Sequence, residues 1–261
     1  MTHQSTFGRL FMSASLALVI ACSAVADNIT VDASLDDWGV DVPGSGNHND
    51  SAWAPELDFV CWTADDYVGR NGYVGPGYGG QNFDAEAMYL YVQENTLYIA
   101  LVTGFDQGGQ SSGGHTYYAG DMFLDFGSDG WDTAIGMSPS REGNVYDGSS
   151  YQTAQQNSGL NWGQSNTPYR ATGGQTGETA FAYYNDSSSR DHNVYEMCLE
   201  LTDEQIDDLA CGGIRLLWTM GCGNDVLIGC WDPVIVPEPA TMLLMGLGLS
   251  GIALRKRFQK K

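Results

Sequence analysis

The sequence predicts an all-β fold: an antiparallel, jelly-roll-like β-sandwich with one short helix, flanked by an N-terminal signal helix and a C-terminal hydrophobic helix. Three observations predict it. Short runs rich in β-branched and aromatic residues recur between turn residues. One segment alone carries helix start and stop signals, and long Gly/Ser/Asn/Gln-rich stretches without a period separate the rest. Strands at turn-punctuated spacing with a single helix argue for a sandwich over an alternating α/β fold.

The elements follow in order. Arg9, an apolar core at residues 10–20 and Ala24-Val25-Ala26 before Asp27 read as a secretory signal cleaved between Ala26 and Asp27. Val19-Ile20-Ala21-Cys22 is a competing lipobox that would place a lipid on Cys22 instead. Ala87-Met88-Tyr89-Leu90-Tyr91-Val92, the turn Gln93-Glu94-Asn95 and residues 96–102 form a hairpin. Residues 122–126, 194–201 and 214–220 read as further strands. The helix follows Thr202, an N-cap with Gln205 three residues on, and stops at Cys211-Gly212-Gly213. Residues 104–114 and 149–177 read as surface loops. The domain limits are 1–26 for the signal, 27–232 for the sandwich and 233–261 for the tail, leaving a body of about 210 residues, enough for one substantial core.

Charge and cysteines narrow the function. Of eleven basic residues, Arg9 lies in the leader and five lie in the tail, so the body keeps five arginines and no lysine against a chain total of thirty-two acids. Such a field repels phosphate backbones, which excludes nucleic acid as a partner and makes divalent cations the natural counter-ions. Cys61, Cys198, Cys211, Cys222 and Cys230 remain after leader removal. An oxidising compartment favours disulfides, and proximity suggests Cys222 with Cys230, while the pairing of five cysteines is not readable from sequence. No Cys-x-x-Cys pair occurs, which argues against structural zinc.

The tail is the most specific signal. Val236-Pro237-Glu238-Pro239-Ala240 is followed by an apolar run at 241–254 and by Arg255-Lys256-Arg257 with Lys260 and Lys261. The basic end stays cytoplasmic and the body lies outside. As a helix the run reaches only about 20 Å against a hydrocarbon core of about 30 Å, short for a permanent anchor. The three parts resemble the PEP-CTERM sorting signal, Pro237, Glu238 and Pro239 matching its motif and Ala240 and the basic cluster completing it. The resemblance implies recognition by exosortase, transient membrane insertion, and a Gram-negative host that makes extracellular polysaccharide. A second, weaker resemblance lies in the body. Ile29-Thr30-Val31-Asp32-Ala33-Ser34-Leu35-Asp36-Asp37-Trp38-Gly39 is similar to the opening strand of family 9 carbohydrate-binding and DOMON-like sandwiches, with Ala33 where those have glycine. It implies a sandwich and makes sugar binding an inherited option.

Candidate sites follow from residue type. Asp121, Asp125, Asp129 and Asp132, on a strand end and its turn, offer hard oxygens for calcium, or else cap a solvated turn. Trp53, Trp62, Trp131 and Trp162 sit in loop-like surroundings where an exposed indole could stack on a sugar ring, packing being the ordinary alternative. Gly109-Gln110-Ser111-Ser112-Gly113 fits a nucleophile elbow but lacks a following helix. Gly75-Pro76-Gly77-Tyr78-Gly79-Gly80 fits a dinucleotide fingerprint but lacks both flanking elements. The expectation is a non-enzymatic exported protein of the cell surface or of an exopolysaccharide or biofilm matrix, binding glycan with calcium. A glycan-active hydrolase using two carboxylates, and a purely structural matrix protein that binds other proteins, are the alternatives.

Overall fold

A computed structural model describes residues 29–44, 49–69, 71–74, 77–127, 130–154, 167–186 and 192–233. The signal segment with Cys22, Ala26 and Asp27, the sorting tail from 234 onward, Asp129 and Trp162 lie outside the described residues. Among the described residues no helix is long and apolar enough to cross a membrane.

In chain order the first strands are β1 (Cys61–Ala64), β2 (Val68–Gly69), β3 (Tyr73–Val74), β4 (Ala85–Gln93), β5 (Thr96–Thr103), β6 (Gln110–Ser112), β7 (His115–Tyr117) and β8 (Met122–Asp125). There follow β9 (Thr133–Ile135), β10 (Asn144–Asp147), β11 (Tyr151–Thr153), β12 (Pro168–Ala171), β13 (Gln175–Glu178), β14 (Phe181–Asp186) and β15 (His192–Glu200). Helix α1 (Asp203–Gly212) then leads to β16 (Ile214–Thr219) and β17 (Val226–Trp231). A five-stranded sheet in the order β1-β4-β5-β15-β14 faces a six-stranded sheet in the order β13-β10-β9-β8-β16-β17, all neighbours antiparallel. The predicted sandwich is therefore the fold, and α1 is the crossover between its sheets. Its capping box is present as read, Thr202 accepting from the Gln205 amide.

The main core lies between the sheets. Met88, Leu90 and Val92 of β4 meet Met122 and Leu124 of β8 and Leu216 and Trp218 of β16. The opposite face of the five-stranded sheet is also dry. Tyr89 and Tyr91 point away from the sandwich into a second cluster with Ile29, Leu35, Trp38, Val40 and Trp53. A strap of residues 29–60 therefore covers this sheet, which explains why β4 is buried on both faces and reads as a nearly continuous apolar run.

Three expectations are corrected. Residues 29–39 form no strand: the segment is turns with a short 3₁₀ helix at Asp36–Trp38, held by side-chain bonds in place of a ladder. The supposed loops at 104–114 and 149–177 contain β6, β11, β12 and β13, and three of these, β6, β11 and β13, are largely exposed, so their sequences carry no burial alternation to read. The five cysteines among the described residues are all free, including Cys222 and Cys230. Cys222 sits in the turn joining β16 to β17, whereas Cys230 pairs with Arg215 four residues beyond the Val226 end of β17. Four residues of strand span about 13 Å, well beyond the roughly 7 Å limit on Cα separation in a disulfide.

Candidate functional site

Two buried carboxylate centres flank the five-stranded sheet. The first is Glu196 of β15, which has no exposed surface. It accepts the backbone N–H of Asp32 at 2.9 Å, that of Ala33, and the indole N–H of Trp38. Burial pushes its carboxyl up to about 7 even though all three donors favour the ionised form. The Asp-Ala-Ser-Leu-Asp-Asp-Trp phrase is thus the plug of the strap, with Trp38 packed 6.1 Å from the Tyr89 ring. Ala33 adopts φ 61°, the left-handed region that favours glycine.

The second centre is acidic throughout. Asp66, Asp84 and Glu86 have almost no exposed surface, and each contributes an oxygen to a group whose atoms all lie within 4.8 Å of one another. Asp225, from the turn before β17, adjoins Asp84. The local chain explains the convergence. The register of β4 against β5 slips between Ala85 and Ala87, a β-bulge at Glu86. Ala85 consequently joins the core between the sheets with Met88 and Leu90, while Ala87 joins the strap side. Bulges re-aim side chains in this way. Gly104, opposite the bulge, has no room for a Cβ because the Gln81 carbonyl occupies that space.

Most of the group is held firmly. Asp66 accepts from the Trp53 indole at 2.8 Å, and Asp225 accepts from the backbone of Ala85 at 2.7 Å and of Val226 at 2.9 Å. Glu86 receives Gln81 Nε2 and stands 2.8 Å from His192 Nδ1 through both oxygens, while His192 Nε2 points at the Pro43 carbonyl at 3.1 Å. Both ring nitrogens face oxygens, an arrangement that favours the charged form of His192 beside Glu86. Burial works against that charge, yet the Glu86 hydrogen bond and charge outweigh it and raise the His192 pKa. Asp84 differs: it has no exposed surface, no donor among the described residues reaches either of its carboxylate oxygens, and its side-chain partner is another acid, Asp225, to which it can only give a proton of its own. Desolvation, then the Asp225 and Glu86 charges, push its carboxyl up to about 10.

The sites read from sequence lie elsewhere. Asp121 accepts from Arg141 Nη2 at 2.6 Å and from the Ala171 amide at 2.9 Å, and Asp125 pairs with Arg215 at 2.5 Å. Asp132 accepts from the Phe126 amide and closes its turn. These aspartates serve arginines and backbone, and no converging set of oxygens includes them among the described residues. Trp53 is wholly buried and cannot stack on a ligand; its indole serves Asp66 and its ring meets His192 edge-on at 5.4 Å. Trp62 packs into the strap cluster, and Trp131 lies under the Arg215 guanidinium at 4.5 Å. An aromatic, polar-rimmed groove occurs instead where His115, Tyr117, Tyr118, Gln152, Tyr169 and Arg170 line a volume of about 320 Å³. Neither place is legible in the sequence. The acidic centre gathers residues from four separate segments, and tyrosines in Gly-rich hairpins carry no periodic signal.

Comparison with known proteins identifies one feature: residues 236–257 match the PEP-CTERM protein-sorting motif. No curated protein and no solved structure matches the chain. The motif marks an exported protein of Gram-negative type that exosortase recognises and processes, associated with the membrane through its C-terminal segment.

Proposed function

We propose that the exported body is a non-enzymatic protein of the cell surface or exopolysaccharide matrix that holds polysaccharide in the tyrosine groove. The observation that carries this reading is the groove itself, joined to a chain with an export-sorting signal. Tyr118 is exposed there and Tyr117 half-buried, beside His115, Gln152 and Arg170 as hydrogen-bonding groups. Aromatic faces cover the apolar faces of sugar rings while such polar groups fix their hydroxyls.

A hydrolase would need two carboxylates facing a bound sugar about 5–9.5 Å apart. The carboxylates with the most displaced protonation, Asp84, Asp225, Glu86 and Glu196, are sealed from solvent, which supports the non-enzymatic reading. The test is retention of the exported protein on host polysaccharide. Tyr118→Ala should weaken retention about tenfold, the cost of one lost stacking contact of about 1.4 kcal/mol. Release of reducing ends would replace this reading with the hydrolase, and absence of retention would leave a structural protein that binds other proteins. Mass spectrometry of the mature C-terminus tests processing, since residues 255–261 should be missing.

A further inference from the structure

We propose that Asp66, Asp84, Glu86 and Asp225 form a buried site for one dehydrated divalent cation of the calcium type, which fastens the two sheets together at one end of the sandwich. The inference is independent of the glycan reading and concerns a different part of the molecule.

Acidic residues on a surface are commonplace, but Asp84 is not on a surface. A buried carboxylate with no donor to either oxygen is costly, because it gives up its hydration for nothing. Its neighbours are further acids, with Asp65 and Asp50 close behind them. Among the described residues the cation that meets this group is His192, already committed to Glu86 and the Pro43 carbonyl. The arrangement therefore gathers more carboxylates than its protein donors serve: without an ion the deficit is met by a proton held on Asp84, and a small cation seated among these oxygens would take that proton's place.

Geometry selects the ligand class. All donors are carboxylate oxygens, which excludes a preference for soft metals. Calcium binds oxygens at about 2.3–2.6 Å, so oxygens sharing one ion lie no more than about 5 Å apart. The oxygens of Asp66, Asp84 and Glu86 meet that limit at 4.8 Å. Magnesium keeps several waters, and a group in which Asp84, Glu86 and Asp225 expose no surface offers little space for them. His192 also lines an open groove of about 370 Å³ with Asp32, Asp36 and Asp41, an acidic approach from solvent.

The placement gives the ion a structural task. Asp84 immediately precedes β4 of one sheet and Glu86 is its second residue, Asp225 precedes β17 of the other sheet, and Asp66 follows β1 at the sheet edge. One ion spanning them ties the Asp66 loop to both sheets, and through the Trp53–Asp66 hydrogen bond to the strap, the kind of long-range staple that the free cysteines do not provide. Extracellular calcium modules work at dissociation constants of about 10⁻⁴–10⁻³ M, so this staple closes after export.

The test uses the full chain, stripped with EDTA and dialysed, then titrated with calcium chloride or magnesium chloride at equal ionic strength. Native mass spectrometry should find one calcium per chain, and 10 mM calcium should raise Tm by about 5–10 °C, magnesium by much less. Asp84→Asn, which keeps the shape but lowers the charge, should lose this shift. Asp208→Asn, on the exposed face of α1, should keep it. Equal responses to both ions, a calcium shift surviving in Asp84→Asn, or no response in the unmodified chain would each overturn the proposal. Should Asp84→Asn fail to fold, the stoichiometry and ion selectivity of the unmodified chain decide alone.

Discussion

Glu196 and Asp84 are both carboxylates without exposed surface beside the five-stranded sheet, yet Glu196 takes three donors and Asp84 takes none among the described residues. Glu196 is completed by the chain itself: the strap brings two amides and an indole to it. Asp84 is surrounded by other acids and completed by nothing the described chain offers. The difference separates a structural carboxylate from one built for a ligand. Burial and a raised pKa are common to both, so neither feature alone distinguishes them; the donor inventory does.

The largest effect expected from this contrast is at the plug. Trp38→Ala removes a wholly buried indole and one of the Glu196 donors, and should cost about 4–5 kcal/mol by chemical denaturation. Recovery of near-normal stability would mean that the strap is dispensable.

Next comes pH. Glu196 is raised from 4.5 to about 7, so between those values the folded chain holds a proton that the unfolded chain has released. Stability from this group is therefore lost as pH rises from about 4.5 to about 7 and is level above that. Glu196→Gln does not titrate, so the unmodified protein should lose up to about 3 kcal/mol relative to it over this window. Parallel pH profiles for the two would show that the three donors hold Glu196 ionised throughout.

The third effect has the opposite sign. In calcium-free buffer the folded chain must hold Asp84 protonated at a pH where the unfolded chain releases that proton; Asp84→Asn, neutral in both states and able to donate to the neighbouring carboxylates, should stabilise the chain by about 1–3 kcal/mol. A loss of stability would place Asp84 with Glu196 as a structural residue. The smallest effect is at Ala33, where glycine should relieve the left-handed backbone and gain about 1 kcal/mol.

The fold was legible where burial imposed a period. The β4–β5 hairpin, β8, β15, β16 and the Thr202–Gln205 cap all announce themselves through residues that repeat in step with their geometry. The exposed hairpins did not, since a strand such as Gln175–Glu178 buries nothing. The Ile29–Trp38 phrase stands out as a motif, but its role is hidden because its partner, Glu196, lies over 150 residues away. The acidic centre was invisible for the same reason: Asp66, Asp84, Glu86, His192 and Asp225 meet only after the sheets have formed, and the bulge that turns Glu86 inward leaves no mark in the alternation of apolar residues.

The strap also sets an order of events. Asp32 and Ala33 emerge first during N-to-C export, whereas the carboxylate that receives them comes 164 and 163 positions later. Until β15 has crossed the membrane, the strap has no final place to dock, so the part of the described body that is exported first is among the last to be secured. The plug at Asp32, Ala33 and Trp38 therefore closes only when translocation of the body is nearly complete.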